Sequence, residues 1–479
     1  MMTAQKISIP DWISCHTYFF GREESRTYIS NERSHEYIQL DGISSDLWKL
    51  IYDGVGSDVL LAFAEQNGVE AELDGFIDTL REQGLVVLPG VEQASETDYA
   101  PVCDNAATLD EELSFTEEMK TWLFENKFMF SLFFELTYRC NLKCVHCYNP
   151  KHMNNVEIDF ELCKKAIDDA YEVGCFRVTF SGGESFLHSR FLELVKYARE
   201  KHMSVEIFTN GQALAGNEKL YEEIKSLYPY RVCVSLYSTD EKMHDRVTAV
   251  EGSFNKTYPL INRMKRDNMN VQIKNFLLNF NCMDCIGVKK YAAEIGATSV
   301  ADISLIPTIE GDKKTMEFLL SEDELFELYT NPDSPLYISE DFKPLALSDR
   351  QNSTPCSGGY TGLCVSPTGE VVICVSLPYS VGNLNRESVK SIWQAAMEKD
   401  EDSRLYQWQQ VTLADLTECY REDYCAFCSY CPGMGYLENG YLKKSDVQCA
   451  EARAKMKAYL YLKEKRSACS RKRNNGVQE

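Results

Sequence analysis

The chain has 479 residues, of which 44% are hydrophobic and 26% charged, proportions typical of a globular protein with about two to four domains. Its formal net charge of −23 excludes the basic surface that nucleic acid binding requires. The sequence has neither a long apolar run nor a signal-peptide pattern, so we expect a cytoplasmic protein that does not enter a membrane. Nineteen cysteines in that compartment indicate metal binding rather than disulfide bonds.

Residues 1–90 predict a small α+β domain. Three β-rich runs, at 17–20, 27–30 and 36–40, are followed by three helical patterns that begin near Ser45, Ser57 and Leu73. Gly84 is a natural end for the last helix. That helix is acidic, which argues against binding to DNA.

Residues 91–126 predict a linker or bridging region, because the stretch 89–113 is polar, acidic and weakly periodic. Strand-like and helix-like segments alternate through residues 127–348, with six strands near 132–136, 177–180, 204–208, 231–236, 270–277 and 299–305. This order predicts an α/β fold, a parallel sheet with crossover helices that closes into a partial (β/α)6 barrel of the TIM type. The active site of such a barrel lies at the C-terminal ends of its strands.

A group of three cysteines follows the first predicted barrel strand. Cys140, Cys144 and Cys147 have the spacing CxxxCxxC. Thiolates are the natural ligands of iron–sulfur clusters, and three of them leave one iron of a four-iron cluster open to a small molecule. The alternatives are a zinc site that lacks one ligand and three structural thiols.

This loop resembles the signature of radical S-adenosylmethionine (SAM) enzymes. The resemblance implies a [4Fe–4S] cluster on the three cysteines that binds SAM and cleaves it to a 5′-deoxyadenosyl radical, which then takes a hydrogen atom from an unreactive C–H bond. Motifs after the later strands are similar to those of the same family, namely SGGE, TNG and HDR. The cofactor contacts that they imply are His146, Gly182, Gly183, Glu184, Asn210, Ser235, Arg246 and Ile306.

The resemblance gives several of these residues a role. The Gly182–Gly183 turn binds the SAM amino group, and glycine suits it because the chain approaches the ligand closely. Ser235 contacts the ribose, Arg246 pairs with the carboxylate, and Ile306 contacts the adenine. Taken alone, a Gly–Gly turn is a common loop and Arg246 is an ordinary surface residue.

Residues 349–479 hold a second field of cysteines: Cys356, Cys364, Cys374, Cys419, Cys425, Cys428, Cys431 and Cys449. Eight thiolates are enough for two four-iron clusters. The opening, in which Gly369 precedes Cys374 by five positions, resembles a SPASM domain, and the run Cys419 to Cys431 departs from the usual spacing.

The resemblance suggests an inner auxiliary cluster on one set of four cysteines and an outer cluster on the other set: Cys356, Cys364, Cys374 and Cys431, then Cys419, Cys425, Cys428 and Cys449. The irregular spacing leaves open that one cluster has three thiolates and an open iron for a substrate thiol. A pair of zinc knuckles is the alternative.

The order of elements in residues 1–90 resembles the RiPP recognition element, a winged-helix fold that binds the leader of a ribosomally made precursor peptide beside its third helix. A general interaction or structural domain is the alternative. The three regions together resemble a peptide maturase of the sactipeptide or ranthipeptide type, which forms Cys thioether crosslinks. C–C or C–O crosslinking and epimerising maturases stay open, as does a zinc-dependent peptide-binding protein without enzymatic activity.

The resemblance further implies SAM, three [4Fe–4S] clusters, a precursor peptide and an external electron donor of the flavodoxin or ferredoxin type. No residue of the sequence stands out as the catalytic acid or base.

Overall fold

The computed structural model describes residues 6–20, 24–88, 105–149, 155–347, 352–416 and 418–475. The N-terminal part forms an antiparallel sheet in the order β1-β2-β3, followed by three helices. The bounds are β1 (Ile13–Phe20), β2 (Glu24–Asn31), β3 (Glu36–Asp41), α1 (Ile43–Tyr52), α2 (Ser57–Asn67) and α3 (Leu73–Glu82).

This small domain has its own core. Leu73, Ile77 and Leu80 lie on one face of α3 and are buried against Trp48 of α1, as expected for a helix with one apolar stripe. The strand β3 is at the edge of the sheet and pairs only with β2 among the described strands. The predicted order of three strands and three helices is confirmed.

The predicted linker contains a helix. Residues 89–104 lie outside the described residues, but Asn105–Glu125 form α4. Trp122 of α4 packs edge-on against Tyr18 and Tyr28 of the small sheet. The polar stretch was weakly periodic, so its sequence did not indicate this helix.

Six parallel strands form the barrel: β4 (Ser131–Glu135), β5 (Arg177–Ser181), β6 (Ser204–Thr209), β7 (Arg231–Ser235), β8 (Val271–Phe276) and β9 (Thr298–Asp302). The helices between and after them are α5 (Phe160–Glu172), α6 (Phe191–Glu200), α7 (Gln212–Ala215), α8 (Glu218–Ser226), α9 (Glu241–Thr248), α10 (Phe254–Arg266), α11 (Asp284–Glu294) and α12 (Glu322–Thr330). The predicted α/β fold with a partial barrel is confirmed.

The C-terminal part extends the barrel sheet. Its strands are β10 (Gly362–Val365), β11 (Glu370–Cys374) and β12 (Leu377–Asn383), and its helices are α13 (Val389–Met397), α14 (Arg404–Gln409), α15 (Pro432–Asn439) and α16 (Asp446–Asn475). The strand β10 pairs in parallel with β4, so one sheet of nine strands has the order β12-β11-β10-β4-β5-β6-β7-β8-β9. This pairing places β10, which carries Cys364, beside the first barrel strand.

A buried arginine fastens the small domain to the barrel. Arg199 of α6 is 5% exposed and donates to the carbonyl of Asp11 and, at 2.6 Å, to the hydroxyl of Ser14. Ser14 in turn donates to the buried carboxylate of Glu32. None of the helices in the described part of the chain is long and apolar enough to cross a membrane.

Candidate active site

The three cysteines of the CxxxCxxC loop lie together beyond the C-terminal end of β4. Burial, with a smaller contribution from the neighbouring thiols of Cys147 and Cys140, raises the pKa of Cys144 to about 12. Burial also raises the pKa of Cys140 to about 11, with the thiol of Cys147 again contributing. Thiols that disfavour one another's ionisation in this way lie close together, which is the arrangement that a shared cationic cluster stabilises.

Main-chain hydrogen bonds hold this loop against the end of α9. The backbone N–H of Lys143 donates to the carbonyl of Thr248 at 3.0 Å, and that of Val145 donates to Val247 at 3.0 Å. The Tyr237 hydroxyl lies 4.0 Å from the Cys144 sulfur and hydrogen-bonds to the Ser235 hydroxyl. The loop and the end of β7 therefore meet at Tyr237, which sequence reasoning did not single out.

The Gly–Gly turn after β5 packs directly on the entrance to the cysteine loop. A Cβ on Gly182 would lie 2.5 Å from the Thr137 carbonyl oxygen, and one on Gly183 would lie 2.3 Å from the Arg139 carbonyl oxygen. The Gly183 N–H donates to Thr137 at 2.6 Å, and the Glu184 N–H donates to Arg139 at 2.9 Å. The chain's own backbone therefore requires glycine at both positions, in addition to any ligand.

The buried carboxylate of Glu184 connects the SGGE turn to the TNG turn. Its carboxylate accepts from the Asn210 N–H at 2.7 Å and from the Thr209 hydroxyl at 2.8 Å, and it is 1% exposed. Burial raises the pKa of Glu184 to about 7. These hydrogen bonds order the TNG turn around the site.

Asn210 continues that chain of contacts to the cysteine loop. Its side-chain amide donates to the Asn141 side chain at 2.7 Å and lies 3.6 Å from the Cys140 sulfur. Glu184 therefore positions Asn210, and Asn210 positions the loop. Asn141 is a second residue that the motif-based reasoning missed.

The remaining predicted contacts surround the loop. Arg246 is exposed on α9, its guanidinium lies 3.9 Å from the centre of the Phe280 ring, and no carboxylate among the described residues forms an ion pair with it. Its neighbour Asp245 accepts three hydrogen bonds from residues 252–254, which explains the spacing of the HDR and GSF segments. Ile306 is buried four positions after β9 ends, and its carbonyl accepts from Thr315 at 2.7 Å.

The residues present fit an iron–sulfur cluster with a small organic ligand. His146 stacks on Phe276 with ring centres 4.8 Å apart, and its Nδ1 is buried without a hydrogen-bond partner. Burial lowers the pKa of His146 to about 4, so its imidazole is neutral at neutral pH. A neutral imidazole with an unsatisfied nitrogen beside three thiols is suited to contact a bound polar group.

A buried carboxylate at the end of β4 was not predicted. Glu135 is 4% exposed and accepts from the Tyr148 hydroxyl at 2.8 Å. Burial raises the pKa of Glu135 to about 7. The only sequence signal was a charged residue at the last position of an otherwise apolar strand, which does not reveal burial.

The outer set of C-terminal cysteines converges. Burial raises the pKa of Cys428 to about 12, and the thiols of Cys449, Cys425 and Cys419 all contribute. The same four residues line a cavity of about 140 Å³. These contacts agree with the predicted outer set.

Cys374 is linked to each of the other three thiols of the predicted inner set. Burial and the thiols of Cys431 and Cys356 raise the pKa of Cys374 to about 12. Cys364 is 2% exposed on β10, and after burial the groups that raise its pKa are Glu135 and Cys374.

No three His, Cys, Asp or Glu side chains within the described ranges are arranged to hold a single metal ion.

In the comparison with known protein families, the barrel and the C-terminal cysteine region each match a family model. Residues 134–281 match the family model of the Radical SAM superfamily, and residues 356–432 match that of SPASM, an iron–sulfur cluster-binding domain.

Two relatives and one solved structure are similar to the chain. It is 26% identical over 331 residues to the antilisterial bacteriocin subtilosin biosynthesis protein AlbA of Bacillus subtilis (strain 168), covering 65% of the chain and 69% of that protein. It is 22% identical over 339 residues to an AdoMet-dependent heme synthase of Methanosarcina barkeri, covering 66% and 94%. Streptococcus suis SuiB bound to precursor peptide SuiA has a TM-score of 0.53 at 15% identity, covering 92% of this chain and 99% of that one, which is a likeness of fold.

Proposed function

We propose that this chain, a radical SAM protein with a SPASM domain, is an enzyme that modifies a ribosomally made precursor peptide. The observation that carries the proposal is the junction of three parts in one chain. A small sheet-and-helix domain is fastened by Arg199 to the barrel, and the first barrel strand pairs with β10 of the C-terminal part. A macromolecular substrate held on the first part can extend to the second.

The cysteine loop is proposed to hold a [4Fe–4S] cluster through Cys140, Cys144 and Cys147. With SAM bound, this group supplies a radical that removes a hydrogen atom from a substrate C–H bond. The protein's residues hold and shield the reactants: Glu184 and Asn210 position the loop, and Arg246 offers its charge to the SAM carboxylate. His146, Gly182, Gly183, Ser235 and Ile306 are proposed to complete the SAM contacts.

The small domain is proposed to bind the leader of the precursor. The strand β3 is at the edge of the small sheet and pairs only with β2 among the described strands, and α3 is the third helix after it, as in the winged-helix recognition elements that the domain resembles. An extended peptide can add to such an edge through main-chain hydrogen bonds. The similarity to AlbA, a protein of bacteriocin biosynthesis, supports a peptide substrate.

Hydrogen exchange on the intact enzyme tests this binding mode. Addition of a candidate precursor peptide is expected to slow amide exchange in β3 and α3, with no change in the distant helix α8. Protection confined to the barrel, with β3 and α3 unchanged, would remove the recognition role of the small domain.

We infer a Cys thioether as the product, because the chain combines a radical SAM domain with a SPASM domain, as the thioether-forming peptide maturases that it resembles do. The reaction joins a substrate sulfur to a substrate carbon and removes two hydrogens, one as the abstracted atom and one as a proton, with the second electron passing to an auxiliary cluster. Two auxiliary clusters and an external donor of the flavodoxin or ferredoxin type are part of this proposal. The heme synthase relative makes a porphyrin substrate the competing outcome.

Mass spectrometry of the product distinguishes these outcomes. The intact protein, reductant, SAM and a Cys-containing precursor are expected to give a peptide that has lost two hydrogens and one alkylatable thiol for each crosslink. Loss of two hydrogens with every thiol still alkylatable would indicate a C–C or C–O crosslink. Deuterium uptake without that loss would indicate epimerisation, and turnover of a porphyrin but not of the peptide would overturn the proposal.

A further inference from the structure

A lysine lies on the inner face of the barrel sheet. Alternate residues of a strand face opposite sides of a sheet. Ile273 of β8 is buried in the core that the sheet forms with its helices, so its neighbour Lys274 is on the opposite, inner face. The Lys274 ammonium lies 5.3 Å from the centre of the Phe208 ring of β6, although β7 separates these two strands. This contact passes over the intervening strand, which places both side chains inside the barrel.

The position of Lys274 along its strand is close to the cysteine loop. It pairs in register with Ser235, the last residue of β7, and is therefore near the C-terminal edge of the sheet, where barrel enzymes bind their substrates. Phe276 follows on the same face of β8 and stacks on His146 of the cysteine loop with ring centres 4.8 Å apart. Lys274 is thus one pleat, about 7 Å along the strand, from a ring that contacts that loop.

The carboxylates on the same side of the strands have other partners. Glu206 of β6 forms an ion pair with Arg231 at 4.0 Å, and Glu135 accepts from the Tyr148 hydroxyl at 2.8 Å. Asp302, the last residue of β9, accepts from a backbone N–H at 2.8 Å. No carboxylate within the described ranges lies within 4.0 Å of the lysine ammonium, which also makes no hydrogen bond to a residue of those ranges.

A cation in this position favours an anionic ligand. Lys274 is half-buried, and a charge withdrawn from water without a counter-ion is unfavourable until an anion binds beside it. SAM has a carboxylate of its own, but the exposed guanidinium of Arg246 is the proposed partner of that group. The Lys274 ammonium is therefore left for the other molecule that enters the barrel, which is the substrate.

We propose that Lys274 binds a carboxylate of the substrate and so selects peptides that have an aspartate or glutamate close to the modified position. The ammonium donates hydrogen bonds to the carboxylate oxygens, and no covalent bond is made or broken by this residue. Lys274 is thus a residue of substrate specificity. The assignment of the carboxylate to a peptide rests on the proposed function, whereas the preference for a carboxylate rests on the inner face of the barrel alone.

Protection of Lys274 from acetylation tests this site on the full-length reconstituted enzyme with SAM bound. The probes are two blocked tetrapeptides that differ only in one aspartate or asparagine, so the aspartate supplies the single carboxylate. Acetic anhydride modifies the lysines and mass spectrometry measures each one, with the exposed Lys196 of α6 as the reference. We expect the aspartate peptide to protect Lys274 at about a tenfold lower concentration than the asparagine peptide, and neither peptide to protect Lys196.

Variants test the same preference by titration calorimetry with the two peptides. Lys274→Met, which removes the charge, is expected to lose the tenfold preference, whereas Lys274→Arg, which keeps it, and the surface control Lys196→Met retain the preference. A preference that persists in Lys274→Met, or equal protection of the parent by both peptides, would overturn the proposal. Weaker binding of SAM alone to Lys274→Met would assign the lysine to SAM and would also overturn it.

The outcome is separate from that of the proposed function. The acetylation measurement uses the parent chain, so it does not depend on the folding of a variant. Neither measurement requires turnover. A carboxylate preference without any peptide modification would count against the proposed function alone, and peptide modification without the preference would count against the Lys274 site alone.

Discussion

Single residues show that the motifs around the cysteine loop are packed against one another. The SGGE turn was expected to approach a ligand, yet Gly183 already faces the Arg139 carbonyl, and Glu184 bonds to the next turn. Spacing located these residues because their separation along the chain is fixed by the barrel repeat. It could not assign their contacts, because burial of a carboxylate depends on neighbours far away in sequence.

Replacement of Gly183 by alanine tests this packing. The added Cβ would be 2.3 Å from a backbone oxygen, so the loop that carries Cys140 must shift. We expect loss of about 4 irons and of SAM cleavage, measured by iron analysis and deoxyadenosine formation. Gly216→Ala is the matched control, since its Cβ would have only one neighbour, at 3.9 Å. Equal iron in the two variants would contradict the account.

His16 of β1 gives a prediction for pH. Burial, with a smaller contribution from Lys49, lowers the pKa of His16 to about 3 from 6.5 in the unfolded chain. The unfolded chain then binds the extra proton, so the stability that His16 contributes is present above pH 6.5 and falls as the pH decreases. One such histidine costs about 1.4 kcal/mol at pH 5.5 relative to pH 7.5.

We therefore expect His16→Phe to lose less stability than the parent between these two pH values, by about that amount. Anaerobic denaturant unfolding of both chains measures the difference. An identical pH dependence would show that the pKa of His16 is the same in the folded and the unfolded chain, which would contradict the prediction.

At the scale of secondary-structure elements, the sequence predicted the positions of the strands closely, but it did not reveal every pairing between them. Short apolar runs bounded by turn residues marked β4 to β9, and helical periodicity marked the segments between them. Two features were not predicted from the sequence. The helix α4 has no clear apolar stripe, and the pairing of β10 with β4 joins residues more than 200 positions apart, which no local pattern can reveal.

The contact between the small domain and the barrel is also long-range. Arg199→Met would remove the donors to Asp11 and Ser14 and one of the two arginines, the other being Arg177, whose charge lowers the pKa of the buried Glu32. Removal of a buried, hydrogen-bonded charge of this kind costs about 3 to 5 kcal/mol. We expect faster amide exchange throughout β1 and weaker precursor binding.

Arg263→Met is the control, because its ion pair with Glu218 is on the surface. It should cost less than about 1 kcal/mol. Similar exchange in β1 for the two variants would mean that Arg199 does not fasten the domain.

At the scale of the whole molecule, we propose one radical site in the barrel, which is assisted by the small N-terminal domain and by the C-terminal cysteine domain. The sequence alone supported the central loop strongly, because three thiols at fixed spacing after a strand have few alternative uses. It supported the auxiliary sets less well, since the run Cys419 to Cys431 departs from the usual spacing of a SPASM domain. The substrate is the least determined, because an open strand edge accepts many extended peptides.

The central claim is that Cys140, Cys144 and Cys147 hold the cluster that cleaves SAM. The direct measurement is anaerobic reconstitution of the full-length chain and of its triple alanine variant, followed by metal analysis and assay of 5′-deoxyadenosine with reductant and SAM. The account predicts deoxyadenosine and about 12 irons for the parent, and no deoxyadenosine with about 8 irons for the variant. Deoxyadenosine from the variant, or zinc without iron in the parent, would contradict it.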